Sequence, residues 1–124
     1  MTYRVLVCGG RNYGCALSEI RRAWQVLDAL HAHVRARGQV LVLVHGAAPG
    51  ADMVAQLWAE QRGVETVQFP CDWAHESGTD RNKRMVAFGA EMCVAFPGGA
   101  GTAHTVRLCR RVGMPVSTVD AWAA

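Results

Sequence analysis

The chain has 124 residues, of which 51% are hydrophobic and 19% charged; that size and balance predict one domain over residues 1–124 and exclude a globally disordered chain. The formal net charge is +3, with 13 Lys+Arg spread along the sequence and a densest cluster of only Arg81, Lys83 and Arg84. A dedicated nucleic-acid binder carries a stronger basic stripe, whereas a small anionic ligand fits this balance.

In chain order, "YRVLVCGG" (3–10) is a short apolar run ending in two glycines, which predicts a buried strand and a turn. Residues 17–37 place Leu17, Ile20, Trp24, Leu27, Leu30, His31 and Val34 at spacings of three and four, an amphipathic helix capped near Ser18 and stopped by Gly38. "VLVLV" (40–44) has the composition of a central parallel strand buried on both faces. After the turn "HGAAPGAD" (45–52), a helix through Val54, Leu57, Trp58 and Gln61 ends at Gly63, and "VETVQF" (64–69) is a third strand. "PCDWAHESGTD" (70–80) reads as a long polar loop, 81–89 as a short helix and "MCVAF" (92–96) as a fourth strand. A last helix over 101–112 ends at Gly113, and "PVSTV" (115–119) is an edge strand because it opens with Pro115. This alternation predicts an α/β fold: a three-layer sandwich with a mostly parallel, five-stranded sheet and right-handed crossovers.

Five cysteines (Cys8, Cys15, Cys71, Cys93 and Cys109) form no CxxC pair and are odd in number. With no signal peptide in the sequence, they predict reduced thiols, each acting as a small buried hydrophobe, in a cytoplasmic protein. No apolar run approaches the about 18 residues of a membrane-crossing helix, so no membrane partner is expected. Nothing has the spacing of a zinc site or a Ser-His-Asp arrangement, so no metal is expected.

Three predicted strands end in glycine-rich turns: Gly9-Gly10-Arg11, His45-Gly46 through Gly50, and Pro97-Gly98-Gly99-Ala100-Gly101-Thr102. In a parallel sheet these ends share one edge, where α/β proteins bind ligands. Glycines there let backbone N–H groups approach an oxygen-rich ligand, and a helix N-terminus adds unpaired donors and about half a positive charge. The pattern predicts a small phosphate-bearing ligand, the nucleotide type being expected in place of any certain cofactor. No Gly-Lys-Ser/Thr follows the second turn and no GxGxxG follows the first strand, so the cradle is neither a Walker loop nor a classical dinucleotide turn.

Together "VLVCGGRNY", "VHGAAPGAD", "FPCDW", "DRNKRM" and "VAFPGGAGT" resemble the SLOG superfamily, specifically its YspA/YpsA-related branch. That superfamily includes the LOG phosphoribohydrolases, the Smf/DprA proteins and molybdenum-cofactor carriers. The resemblance implies a Rossmann-like domain that binds nucleotides or nucleotide-derived molecules across the three turns. It also implies a homo-oligomer, as in LOG relatives. Pro97, Gly98, Gly99, Gly101 and Thr102 match the LOG motif PGGxGTxxE, and Arg81 and Met85 match its Arg-Lys-x-x-Met element, with Asn82 in place of Lys. By the resemblance, the PGG turn and Thr102 hold the phosphate and Arg81 contacts the ligand near the ribose. The chain departs at the catalytic Glu, where it has Thr105.

Asp52 stands in the first turn of a helix, either as a cap or as a carboxylate for the ribose or base side of a ligand. Asp52 and Arg81 are the candidate catalytic pair if there is chemistry, with Glu76 a second candidate acid. Arg11 is a candidate phosphate contact. His45 reads either as a structural histidine or a ligand contact, and Trp73 either as a plug of its loop or a base-stacking group. The function expected is a sensor or carrier that binds a nucleotide or an NAD/ADP-ribose-like molecule without turnover. The alternatives are a LOG-like N-glycosidase with a non-standard acid and a DprA-like nucleic-acid module; the modest charge argues against the latter.

Overall fold

From Val5 to Cys8 the side chains alternate between two cores: Val5 and Val7 face one, Leu6 and Cys8 the other. A period of two with both faces buried is what a central strand of a covered parallel sheet requires. The computed structural model describes residues 1–119; residues 120–124 of the expected domain lie outside the described residues. The elements alternate as β1 (Thr2–Cys8), α1 (Leu17–Ala36), β2 (Val40–His45), α2 (Ala51–Arg62), β3 (Glu65–Gln68), α3 (Gly78–Phe88), β4 (Met92–Ala95), α4 (Ala100–Arg111) and β5 (Val116–Thr118). The sheet order is β3-β2-β1-β4-β5, and all four pairings are parallel. The protein therefore has the expected Rossmann-like α/β fold, fully rather than mostly parallel over the described residues, with β5 at an edge.

One core joins the sheet to α1 and α2 through Ala23, Leu27, Val34, Val54, Ala55 and Trp58; the other joins it to α3 and α4 through Met85, Val86 and Cys109. The chain winds from β1 outward to β3, then returns over the sheet to β4 and β5. That reversal of direction sends the second pair of helices to the opposite face if every crossover keeps the same hand. Trp58 is fully buried and donates Nε1–H to Asp28, at 2.9 Å, while Asp28 also accepts from Arg62. No helix among the described residues is long and apolar enough to cross a membrane.

Several local expectations are corrected. Helix α1 is capped near Ser18, at Ala16, and it is the Glu19 carboxylate that accepts from the N–H groups of Gly14 and Ala16. Helix α3 starts at Gly78, three residues before the expected Arg81, because Ser77 and Asp80 form a reciprocal cap. Ser77 Oγ accepts from Asp80 N at 3.1 Å and Asp80 Oδ2 from Ser77 N at 3.2 Å. The Ser-x-x-Asp spacing was readable, but the polar composition of residues 70–80 masked it. Cys8, Cys93 and Cys109 are buried as expected, whereas Cys71 is half-buried and Cys15 is exposed, beside the Gly14 turn.

Ser77→Ala should lower stability by about 1 kcal/mol in chemical denaturation, the usual cost of a lost N-cap. An unchanged midpoint would show that Asp80 alone holds the start of α3.

Candidate functional site

The three glycine turns meet one another before they meet anything else. Gly10 N–H donates to Pro97 O at 2.8 Å, and Ala51 N–H donates to Gly10 O at 3.1 Å, so the first turn is tied to both the third and the second. Gly50 has φ +84, and a Cβ there would collide with the backbone of Gly10 and Arg11. A Cβ on Gly9 would come within 2.5 Å of Ala51, and one on Gly98 within 2.7 Å of Gly10 N. On Gly46 it would lie 2.6 Å from Arg81 Nη1. Gly99 and Gly101 differ: an added Cβ at either meets no atom within 4 Å. Most of the glycines thus bring turn to turn, while Gly99 and Gly101 border open space.

The loop after β2 is held by its own acid and histidine. Asp52 Oδ2 accepts from Gly46 N at 3.2 Å and from Ala48 N at 3.1 Å, and His45 Nδ1 accepts from Ala47 N at 3.0 Å. Three successive N–H groups are pinned around Ala47, whose φ of 57 is otherwise disfavoured for a residue with a side chain. Because His45 Nδ1 accepts, Nε2 carries the ring hydrogen and donates to Gln56 Oε1 at 2.7 Å. His45 is fully buried, and this places it among structural groups, away from the cavity wall. Burial raises the Asp52 carboxyl above its ordinary range, partly offset by the Ala48 and Gly46 N–H bonds and the charge of Arg81.

Arg81 is the buried cation of the site. Its Nη1 donates to the carbonyls of Gly46 and Phe69, and Nε donates to Asn82 Oδ1 at 3.0 Å. Asn82 in turn donates Nδ2–H to His104 Nδ1 at 3.3 Å. Burial and the charges of Arg107, Lys83 and Arg111 lower the His104 pKa, which favours the neutral acceptor seen in that bond. Among the described residues no carboxylate lies within 4.0 Å of Arg81, although it is only 8% exposed. Opposite it begins α4, whose N-cap, Gly99, provides no side-chain cap, so the first-turn N–H groups are left for solvent or a ligand.

These groups line a cavity of about 490 Å³ at the carboxyl edge, where β1 and β4 flank the reversal of strand order. Of the expected site residues, Gly9, Gly10, Arg11, Gly46, Asp52, Arg81, Asn82, Gly99, Gly101 and Thr102 lie on its wall. His45, Gly50, Pro97 and Gly98 stand behind it as supports of the turns. The sequence reading missed Ser77, Gly78 and Thr79, which also line it and which the unrecognised start of α3 brings there. Thr105 lines the cavity too, and its hydroxyl donates to Gly101 O at 3.2 Å.

In the β3–α3 loop, Glu76 does not line this cavity. Arg84 binds it through two hydrogen bonds, the first of them 3.0 Å long, and holds its pKa down at about 2, aided by Asp72 N–H. A carboxyl so acidic is a poor proton donor at neutral pH. His75 is exposed and paired with Asp72 at 2.8 Å. Trp73 is not a plug: it is 63% exposed and stands at the cavity rim.

The model of the YspA, cpYpsA-related SLOG family (YAcAr) matches residues 3–75, a segment that includes the first two turns, Asp52 and Trp73. The chain belongs to this SLOG family. It is also 36% identical over 123 residues to the Gene 61 protein of Mycobacterium phage D29, covering 91% of this chain and 93% of that protein. The X-ray structure of TM1055, a structural-genomics target, superposes with a TM-score of 0.72 over 94% of this chain and 72% of that one, at 16% identity. At that identity the likeness is one of fold. In this SLOG protein Thr105 stands on the cavity wall with its hydroxyl already bound to its own helix.

The raised Asp52 carboxyl has a sign that can be measured. A folded-state pKa above the unfolded value means the native protein holds the proton longer, so ionisation above the ordinary carboxyl range weakens the fold as pH rises through that interval. Asp52→Asn keeps an acceptor for Gly46 and Ala48 without the charge. Its melting temperature relative to the parent should therefore climb as the pH rises above about 4, the ordinary carboxyl value. A difference that stays flat or falls would show that the carboxyl ionises normally.

Proposed function

We propose that this protein binds a nucleotide or a nucleotide-derived molecule of the NAD or ADP-ribose kind at the carboxyl-edge cavity, as a sensor or carrier that does not turn it over. The observation that carries the reading is the buried Arg81 guanidinium, without a carboxylate within 4.0 Å among the described residues, on the same cavity wall as the uncapped start of α4. A buried charge without a counter-ion is costly, and an anion in the cavity supplies one. The first-turn N–H groups of Gly99 to Thr102 suit phosphate oxygens, and Gly99 and Gly101 leave the space for them. A volume of about 490 Å³ suits a nucleotide-sized ligand. Membership of the SLOG family supports a nucleotide-related role at the family level.

The absence of turnover is inferred from Thr105. Cleaving an N-glycosidic bond needs a group that stabilises an oxocarbenium-like transition state or activates water, and a threonine hydroxyl supplies neither. A second reading has one observation in its favour. Asp52 is the one carboxylate on the cavity wall among the described residues, and burial raises its pKa, which favours its keeping a proton longer than an exposed acid.

Thermal-shift measurements with AMP, ADP-ribose, NAD and inorganic phosphate, each followed by mass spectrometry for free base, separate these readings. A ligand at about 100 times its Kd adds about 2.7 kcal/mol of stability. A shift with intact ligand is expected; a shift with base release that Asp52→Asn abolishes would establish the hydrolase instead. Gly99→Val should melt close to the parent, since a Cβ there meets no atom within 4 Å, yet should lose the ligand-induced shift. Normal binding by that variant would remove the start of α4 from the site.

A further inference from the structure

Trp73 and Arg11 come from different turns and meet across the cavity mouth, with the guanidinium carbon 5.6 Å from the indole centroid. Both also line a smaller adjoining cavity of about 160 Å³, so the pair stands as a partition between the two spaces. The six-membered edge of the indole rests against the start of α3, where a Cβ on Gly78 would lie 3.4 Å from Cη2. A tryptophan that is 63% exposed keeps most of its apolar surface in water, which is unfavourable unless something covers it. An exposed cation–π contact is weak, so a ligand can readily displace it.

We propose that Trp73, backed by Arg11, is the base-recognition element of the cavity: the aromatic base of a nucleotide stacks on the indole, and Arg11 covers the stack. This rests on the reading of the cavity as a nucleotide site. The direction of the ligand follows from the sheet. The loop carrying Trp73 leaves β3 and helix α4 leaves β4, at opposite ends of the order β3-β2-β1-β4 along the carboxyl edge. A ligand whose phosphate sits at the start of α4 extends its other end toward Trp73. Every nucleobase has a face to stack, so this contact selects for a base without choosing strongly among bases.

The test compares AMP with ribose 5-phosphate, which has the phosphate and sugar but no base, by titration calorimetry on the full chain. The parent should bind AMP the more tightly. Trp73→Ala should weaken AMP by about tenfold and leave ribose 5-phosphate within about twofold, while Trp73→Phe restores most of the AMP affinity. The fluorescence difference between the parent and Trp73→Phe should be quenched by AMP and not by ribose 5-phosphate. Equal loss of both compounds in Trp73→Ala, or unchanged AMP binding, would overturn the base-stacking role. A parent that binds the two compounds equally would also overturn it and leave the anion site standing. A parent that binds neither would overturn both readings.

Discussion

The close approach of three backbone turns is the constraint on which the rest of this structure depends. The N–H of Gly10 reaches Pro97 O, and Gly10 O receives Ala51 N–H, so the ends of β1 and β4 and the start of α2 share one small hydrogen-bonded knot. Side chains at Gly9, Gly10, Gly50 or Gly98 would push this knot apart. Once the turns touch, the edge of the sheet has a fixed concave shape, and the start of α4 is aimed into it. Gly9 and Gly10 belong both to the knot and to the cavity wall, Gly50 and Gly98 to the knot alone, and Gly99 and Gly101 to the wall alone.

Charge follows from that packing. Because Gly46 has no side chain, the Arg81 guanidinium can lie against the second turn and hold two carbonyls, Gly46 and Phe69. The nearby acid does not neutralise it by direct pairing, since Asp52 Oδ2 is occupied by the N–H groups of Gly46 and Ala48. The outcome is a rigid wall with a positive group and open backbone donors facing a cavity. Such a wall has its polar groups oriented in advance, so an anion entering it loses little in reorganising the protein. The rim is organised on the opposite principle. There Trp73 and Arg11 are exposed and joined by a weak contact, which suits the part of the site that must let a ligand in.

The sequence was legible where the signal was periodic or compositional. The unbroken apolar runs at 40–44 and 92–96, with helical spacing between them, specified strand and helix order, and the three glycine turns marked the edge of the sheet that carries the cavity. It was misleading where one residue type has two uses. Glycines at 50 and 98 look like ligand-approach glycines but serve contacts between turns, and Gly46 makes room for the Arg81 side chain. His45 sits at the right edge of the sheet yet points its two nitrogens into the protein. The stretch before Arg81 looked like loop because Ser, Gly and Thr dominate it, although Ser77 and Asp80 already held the cap of α3.

By itself, the sequence determined that this chain forms a three-layer α/β domain with a mostly parallel, five-stranded sheet and glycine-rich turns on one edge, because backbone periodicity and glycine punctuation act locally and survive in one dimension. It also determined that position 105 has no carboxylate. Only the tertiary structure decided which glycines face the cavity, that Arg81 is buried with no carboxylate within 4.0 Å among the described residues, and that Trp73 meets Arg11 at the mouth. Those facts depend on distances between residues far apart in the chain, such as Gly46 and Arg81 or Gly10 and Pro97. Such distances are fixed only when the strands pair and the helices choose their faces.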